Sequence, residues 1–595
     1  MILRRRSFIL VAGLLITATL WLIWPLRDIY GEYGEDVSAI YQIDRSPSFW
    51  GNLPTKFPPE SVQPIPKGRP VKYPKVQTSF PQESEAARDI REKRQHAVRD
   101  AFLRCWAAYK KHAWLSDEIA PTTGGRKDPF GGWGATLVDS LDTLWIMGVR
   151  GSEFDEAVAA AASIDFEHTN LKEINVFETN IRYLGGFLSA FDMSGDIRLL
   201  HKAVEVGEML YHAFDTPNRM PITRWDPRGA IGGIEQEAGS PLLAEIGSFS
   251  MEFSRLSLLT GDPKWFDAVQ RITDEMQRQQ AMTQIPGLWP MSVDARRLNF
   301  ATGSVFTLSS MADSAYEYLP KMSALLGGKV KMYQTMYELA IEAAKRHNLL
   351  FRPMTPTNED ILITGQLHTK EEFGRVLIDL EPQGQHLGCY LGGLVAFGSK
   401  LFSRSSDMAV ATKLVDGCIW AYKALPHGIM PETFTVKPCP SGTSCEWDEN
   451  IWQHEISTIH GGPAGNLPPA GPIIETERLP RGFTSIPDTR YILRPEAIES
   501  IFVLYRITGR EDLLNTAWDM FQAISNDTRT EFANAAVWDV TIAAEDELQK
   551  YNSMESFWMG ETLKYFYLIF SDPSLISLDE FVFNTEAHPF RRLLR

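Results

Sequence analysis

Apolar positions beyond residue 85 recur with helical spacing, and the segments that carry them come in pairs. In the three clearest copies an apolar first segment ends at a glycine and an amphipathic second segment follows; these glycines are Gly195, Gly261 and Gly509. Weaker copies turn at Gly148, at Gly327, near Ser405 and near Asp572. Glycine is the usual residue just past a helix, and a polar residue opens the next one. The pattern predicts about seven helical hairpins.

The first helix of each pair is apolar on nearly all sides, so it must be buried on nearly all sides. Repeated helix pairs either stack or close on themselves. A closed ring of inner helices wrapped by outer helices buries every first helix. We therefore predict an all-α fold, an α/α barrel of about seven helical hairpins, over residues 85–595.

Ionisable side chains stand near the start of the predicted inner helices, between 11 and 19 residues before the turn: Glu178, Glu245, Asp313, His386, Glu496 and Glu561. Inner helices that run parallel would bring these groups together at one end of the barrel. One acid at a helix start is usually explained by the helix dipole. Five acids at comparable points of a repeat indicate a shared site instead.

A carboxylate cluster with few basic residues has three common uses. It can hydrolyse glycosidic bonds, bind a hard cation through oxygen ligands, or hold a di-iron centre. A di-iron centre needs Glu-x-x-His pairs on facing helices, and the inner-helix motifs contain none. The sequence also lacks a phosphate-binding loop, a dinucleotide fingerprint and a serine nucleophile elbow. Glycoside hydrolysis is favoured, and a glycan-binding module without catalysis is the alternative.

The N-terminus predicts a membrane anchor. Three arginines at positions 4–6 precede an uncharged, mostly apolar run over residues 7–24, which is just long enough to cross a bilayer. A cleaved signal peptide is the alternative, but the run is long and has no small-x-small site before its tryptophans. Basic flanks stay in the cytosol. We expect a single-pass type II protein with residues 1–6 cytosolic and the catalytic domain lumenal.

Residues 25–84 are expected to form a stem between the membrane and the globular domain. Eight prolines lie between positions 54 and 81. A proline-rich segment of this kind is extended and stiff.

The charge of the chain narrows its partners. The net charge is −16, and an acidic surface argues against nucleic acid, because phosphate binding needs clustered lysine and arginine.

The five cysteines would lie in an oxidising compartment. Cys389 and Cys418 bracket one hairpin and can pair, Cys439 and Cys445 can pair within a loop, and Cys105 is expected to be buried and free.

Several stretches resemble glycosyl hydrolase family 47, the class I α-1,2-mannosidases of the endoplasmic reticulum and Golgi. They are DPFGGWGATLVDSLDTLWIMG (128–148), FETNIRYLGGFLSAF (177–191), ADSAYEYLPK (312–321), HLGCYLGG (386–393), YILRPEAIES (491–500), MESFWMGETLKYFYLIFSD (554–572) and FNTEAHP (583–589). They span the predicted lumenal domain in family order. The resemblance implies a seven-hairpin α/α barrel and calcium-dependent hydrolysis, with inversion, of terminal α-1,2-linked mannose on high-mannose N-glycans.

The resemblance also implies roles for single residues. Glu178 matches the proposed general acid, Asp313 and Glu496 match two further essential carboxylates, and Glu432 matches another carboxylate of the cleft. Thr585 matches the residue that binds calcium directly, and Cys389 and Cys418 match the family disulfide. The residues expected to bind substrate are Arg182, Glu245, His386, Arg494, Glu499, Phe557, Glu561 and Glu586.

The chain differs from the family pattern at one cleft position and in two loops, and two questions about its acid and its function stay open. Met311 stands where endoplasmic-reticulum-type members carry arginine, and residues 354–382 and 436–490 form enlarged loops. These differences concern branch preference rather than the reaction. Arg182 lies one helical turn after Glu178 and opposes its role as an acid. A degradation-enhancing relative that acts on glycans of misfolded proteins is the second functional reading.

Overall fold

The structure, a computed structural model, describes residues 48–440, 445–461 and 467–594. The predicted cytosolic tail, the predicted membrane span over residues 7–24 and the first part of the predicted stem lie outside these residues. Within the described ranges, no helix combines the length and the apolar character that crossing a bilayer demands.

Seven helix pairs build the domain. Their inner and outer members are Leu141–Ile146 with Ser152–Ala162, Gly185–Ser194 with Ile197–Tyr211, Ser250–Thr260 with Lys264–Gln279, Asp313–Leu325 with Lys331–Arg346, Tyr390–Leu401 with Asp407–Ala424, Glu496–Thr508 with Asp512–Asp527, and Leu563–Ile569 with Glu85–His112. The π-helix Trp558–Thr562, which extends the last inner helix, contacts the first inner helix Leu141–Ile146, and this contact closes the ring. The prediction of a helical barrel with about seven hairpins is confirmed.

Short helices extend several inner helices at their N-terminal ends. They are Ala135–Asp139, Val176–Glu178, Leu243–Gly247, the π-helices Thr179–Leu184 and Trp558–Thr562, and the 3-10 helix His386–Cys389. The remaining helices are Phe49–Asn52, His212–Phe214, Pro227–Ile231, Glu449–Ile459 and Ala470–Glu477.

The predicted turn glycines end the inner helices. Gly195, Gly261 and Gly509 have φ angles of 72°, 73° and 73° and receive the chain as it leaves the helix. In this left-handed conformation a Cβ atom would come too close to the backbone, and glycine avoids the clash because it has no Cβ.

The expectation of an all-α chain is incomplete, because the connections between helices contain short strands. These strands are Glu118–Ala120, Gly125–Lys127, Ile174–Asn175, Arg224–Trp225, Val305–Thr307, Leu350–Phe351, Ile363–Thr364, Gln366–Glu372, Arg375–Glu381, Gln383–Gln385, Thr433–Val436, Phe483–Asp488, Phe581–Phe583 and Pro589–Arg591. Two antiparallel three-stranded sheets lie in the enlarged connections, one ordered 305–307, 366–372, 375–381 and the other 383–385, 433–436, 483–488.

Residues 48–84 differ from the predicted stem. They are extended, as prolines demand, but they lie against the barrel instead of standing free. Trp50 and Val76 are fully buried. Backbone amides along the segment donate to Asp215, Asp267 and Asp579. The predicted spacer is therefore part of the folded domain from residue 48 onward.

The C-terminal hairpin fills the barrel from within. Its strands are Phe581–Phe583 and Pro589–Arg591. The Asn584 side chain donates to Glu252 over 2.8 Å, and His588 contacts Asp142 over 2.8 Å. All of these side chains are buried. Thr585 and Glu586 lie at the tip of this hairpin, so the hairpin carries them into the ring of inner helices.

The cysteines pair as expected. Cys389 is bonded to Cys418 and Cys439 to Cys445, and Cys105 is free and buried.

Candidate active site

Each polar group predicted at the start of an inner helix lies there. Asp313 and Glu496 are the first residues of their helices, His386 begins a 3-10 turn, and Glu178, Glu245 and Glu561 lie within the short N-terminal extensions. Six of the seven inner helices are followed by an outer helix that brings the chain back to the end of the barrel where the inner helix began. The N-terminal extension of the seventh, Trp558–Thr562, contacts that of the first, Ala135–Asp139, so it lies at the same end. Their N-terminal ends therefore share one end of the barrel.

Arg182 is the centre of the first half of the site. Its Nε atom donates to Glu178 over 2.9 Å, and its Nη1 atom donates to Ser556 over 3.0 Å and to Glu586. The guanidinium also lies over the rings of Phe130 and Phe557, at 4.7 and 5.8 Å from their centroids. The buried cation thus ties the proposed acid to a residue of the C-terminal hairpin.

His386 is the centre of the second half. Its Nδ1 atom contacts Glu496 over 2.8 Å, and its Nε2 atom contacts the Tyr422 hydroxyl over 2.7 Å. The backbone amide of His386 donates to the Glu432 carbonyl over 2.9 Å. Arg494 pairs with the Glu432 carboxylate and lies 3.9 Å from Glu496. Four of the predicted residues therefore form one hydrogen-bonded network.

Two acids of the cleft have opposite electrostatic surroundings. Burial raises the pKa of Asp313 to about 7, and the charges of Glu317 and Glu496 add to the effect. Burial also opposes ionisation of Glu496, but the hydrogen bond from His386 and the charge of Arg494 lower its pKa below the usual value. Separated pKa values are the mark of an acid and a base in one site.

A second layer of carboxyls lies deeper in the barrel. Burial raises the pKa of Glu499 and of Glu586 to about 8 each, and raises that of Glu561 well above its usual value. Lys321 and Arg182 are the cations that contact this layer. The raised pKa values mean that these two cations do not fully stabilise the ionised carboxyls, and a bound cation would favour their ionised form. Carboxylate, hydroxyl and carbonyl oxygens are the ligands that calcium prefers. Thr585 lies beside Glu586 at the tip of the C-terminal hairpin, and the oxygen donors present there are of the kind that calcium binds.

Two predicted residues lie toward the cleft rim. Glu245 pairs with Arg224 over 2.6 Å, and this arginine is half exposed. Met311 is 47% exposed and has a φ angle of 73°, which only a minority of non-glycine residues adopt. Because nearly half of Met311 is exposed, its side chain is accessible to a ligand.

The structure adds residues that the sequence patterns did not single out. Asp139 lies 3.5 Å from Arg182 and is fully buried, and Ser556 accepts a hydrogen bond from the same guanidinium. Burial raises the pKa of Glu118 to about 8, with the charge of Glu555 contributing. Asp139 and Glu555 lie within quoted family stretches, which was the available signal. No comparable signal marks Glu118.

Among the described residues, one group of three acid or histidine side chains has ligand atoms within 4.8 Å of one another: Asp165, Glu167 and His168. All three are exposed, and they do not belong to the cleft. Exposed acidic groups of this kind are common without an ion.

The N-terminal ends of the parallel inner helices bring together a carboxyl of raised pKa, a carboxyl of lowered pKa and two arginines, which is the arrangement of an α/α-barrel glycoside hydrolase. The comparison with known families makes this specific. Residues 101–592 match the family described as glycosyl hydrolase family 47, and the chain belongs to this family.

Similar proteins are known from several organisms. The human endoplasmic reticulum mannosyl-oligosaccharide 1,2-alpha-mannosidase is 34% identical over 501 residues, which are 83% of this chain and 64% of that protein. An Arabidopsis thaliana mannosyl-oligosaccharide 1,2-alpha-mannosidase is 33% identical over 518 residues, which are 85% of this chain and 80% of that protein. The solved structure of the alpha-1,2-mannosidase from Trichoderma reesei matches with a TM-score of 0.71 at 29% identity, covering 84% of this chain and 99% of that one.

Proposed function

We propose that this protein hydrolyses terminal α-1,2-linked mannose on high-mannose N-glycans, as a processing mannosidase. The observation that carries the proposal is the buried carboxylate of Glu496, which His386 contacts over 2.8 Å and whose pKa His386 and Arg494 lower. The family membership and the names of the relatives support the same activity. They do not favour the degradation-enhancing alternative.

The base in this proposal is Glu496. Its carboxylate is held by His386 and faces Arg494, so it is ionised at neutral pH and can accept a proton from water. Water activated in this way attacks the anomeric carbon from the side opposite the leaving oxygen, which inverts the configuration.

The proton donor in this proposal is Glu178, which the family motif indicates. The Glu178 carboxylate is in an ion pair with Arg182, and Asp313 is the second candidate for the donor because burial raises its pKa to about 7. Aryl α-mannosides with acidic phenols as leaving groups need little protonation. A variant that lacks the donor should therefore lose much less activity on them than on the glycan. If Asp313→Asn shows this behaviour and Glu178→Gln does not, the donor is Asp313.

Calcium belongs to the same proposal. Thr585, supported by Glu499, Glu561 and Glu586, would hold the ion, which binds oxygen ligands and would orient the sugar hydroxyls. The buried carboxyls of this layer, of which Glu586 is next to Thr585 in the chain, support this site. Chelation should abolish turnover and lower the unfolding temperature, and calcium should restore both better than magnesium does. An enzyme that is fully active and free of metal by elemental analysis would exclude the site.

The decisive experiment uses the purified full chain and a high-mannose glycan with nine mannoses. Proton NMR of the first released mannose should show the β anomer. Glu496→Gln should lower turnover by about 10²–10⁴-fold, as the loss of a general base does. Glu545→Gln, which removes an exposed acid outside the cleft, is the matched control. An α anomer, or normal turnover of Glu496→Gln, would refute the proposed mechanism.

We also propose that residues 7–24 anchor the chain in the endoplasmic reticulum or Golgi membrane with the catalytic domain in the lumen. The basic residues before the run and the two disulfides, which form in oxidising compartments, support this topology. Protease added to sealed microsomes should spare the catalytic domain, and its digestion would contradict the topology.

A further inference from the structure

A short segment at the start of the described chain, residues 48–57, lies against the active-site end of the barrel. It is outside residues 101–592, which match the family. It opens with the helix Phe49–Asn52, whose N-cap Ser48 accepts a hydrogen bond from the Gly51 amide over 3.2 Å. We call residues 48–57 the arm tip.

Trp50 fixes the arm tip to the barrel. Its side chain is 1% exposed. Its indole Nε1 atom donates to the Phe166 carbonyl over 3.2 Å, and its own carbonyl lies 2.7 Å from His212 Nε2. Its ring lies 5.6 Å from the ring of Trp225, and both indoles are buried. A buried aromatic residue whose ring is packed and whose polar atoms are hydrogen-bonded holds the surrounding chain in one conformation.

Trp225 belongs to a two-stranded ribbon that reaches the catalytic residues. The ribbon pairs Ile174 with Trp225 and Asn175 with Arg224. The Asn175 side chain accepts a hydrogen bond from the amide of Glu178 over 3.3 Å, which sets the start of the helix that carries the proposed acid. On the opposite strand Arg224 pairs with Glu245 over 2.6 Å. One ribbon thus positions two parts of the cleft.

The ribbon cannot hold this position alone. It has only two residue pairs, and an isolated two-stranded ribbon is at best marginally stable in water. Trp50 covers the Trp225 indole at the end of the ribbon. The arm tip is in turn held by the amides of Lys56 and Phe57, which each donate to Asp215 over 2.8 Å.

A second line of contact runs from Trp50 through the core. Phe166, whose carbonyl accepts the hydrogen bond from Trp50, has its ring centroid 5.7 Å from that of Tyr183. Tyr183 is the neighbour of Arg182 on the π-helix, and its hydroxyl donates to Asp117 over 2.9 Å. The arm tip therefore supports the segment that carries Glu178 and Arg182 from two sides.

We propose that the arm tip is a latch on the active site, in which Trp50 is a positioning residue for Glu178 and for the Arg224–Glu245 pair. The expected loss of activity rests on the proposed function, whereas the expected loss of order at residues 174–179 and 223–226 does not. A displacement of catalytic groups by about 1 Å can lower turnover by about 10²-fold. Replacing Trp50 should therefore weaken substrate binding and lower turnover, although Trp50 is not a residue of the cleft.

The test compares full-length variants. Trp50→Ala removes the latch, Trp50→Phe keeps the ring but loses the indole donor, and Val76→Ala is the matched control. Val76 is also fully buried in the proline-rich segment, but its backbone amide contacts Asp579, which neighbours the C-terminal hairpin. Hydrogen exchange, kcat, KM and unfolding temperature are measured for all four chains.

Trp50→Ala should raise exchange at residues 174–179 and 223–226 and leave residues 496–500 unchanged. Its kcat/KM should fall by about 10–100-fold, with a raised KM, and Trp50→Phe should recover most of the loss. Val76→Ala should lower the unfolding temperature and leave KM unchanged.

Unchanged exchange at residues 174–179 and 223–226 in Trp50→Ala would overturn the latch, whatever the activity of the enzyme. Increased exchange there with unchanged kcat and KM on the glycan would overturn the catalytic consequence. A parental chain that does not cleave the glycan would count against the proposed function, and the exchange result would still decide whether the latch exists.

Discussion

Replacing Asp313 by asparagine should stabilise the protein above neutral pH while removing its activity. Burial raises the pKa of this carboxyl from 3.8 to about 7. Between these two values the folded chain keeps a proton that the unfolded chain has lost. The free energy of unfolding therefore falls as the pH rises from about 4 to about 7, and it stays lower above that range. Asparagine has nearly the same shape and cannot ionise, so the variant avoids this loss.

The size of the effect follows from the shift. A shift of about three pKa units corresponds to about 4 kcal/mol at 1.36 kcal/mol per unit. The side chain is partly open to the cleft, and water there weakens the penalty. We therefore expect Asp313→Asn to be more stable than the parent by about 2–3 kcal/mol above pH 7, and equal to it near pH 4.

Urea unfolding at several pH values between 4 and 8 measures this difference directly. Other buried acids also titrate in this range, but they are common to both chains and cancel in the comparison. Asp379→Asn removes an exposed acid and serves as the matched control; it should not change the pH dependence. If Asp313→Asn and the parent have parallel stability curves, Asp313 is ionised in the folded protein and the reasoning from burial is wrong.

Three further predictions concern the core, the disulfide and the cleft rim. Lys564 is fully buried 2.8 Å from Asp142, so Lys564→Met should lower the free energy of unfolding by about 3–5 kcal/mol, and a loss below about 1 kcal/mol in urea would contradict the pairing. Cys389 and Cys418 are 29 residues apart, so replacing both by alanine should cost about 3–4 kcal/mol, and reductant should then lower the unfolding temperature of the variant less than that of the parent, which has both disulfides. Met311→Arg adds about five hydrogen-bond donors at the rim; chromatography should show fewer trimmed isomers, and an unchanged product profile would show that this position does not set branch preference.

The helical hairpins and the placement of the acids could be predicted from the sequence because both depend on neighbouring residues. A buried helix needs apolar residues at every turn, and its end needs a residue such as Gly195 that adopts a left-handed backbone. The same local pattern located Asp313 and Glu496 at helix starts. Once the inner helices run parallel, their starts meet at one end.

The proline-rich segment shows where local reasoning ends. Proline restricts the backbone to an extended path, and that much was predictable. What the segment lies against depends on residues far away in the chain, such as Trp225 and Asp579. The short strands are similar, because each needs a distant partner: the strand at 383–385 pairs with the strand at 433–436.

The opposite pKa shifts of Asp313 and Glu496 depend on the tertiary structure alone. In the sequence, Asp313 and Glu496 are equivalent, since each is an acid that begins an apolar helix. In the folded chain His386, which is 110 residues from Glu496, donates to that carboxylate, and Arg494 faces it. The Asp313 carboxylate accepts a hydrogen bond from the Ser314 amide over 2.8 Å, but burial outweighs this stabilisation and raises its pKa to about 7. A pKa depends on the groups that surround a carboxyl in space, and these come from helices that only the closed barrel brings together.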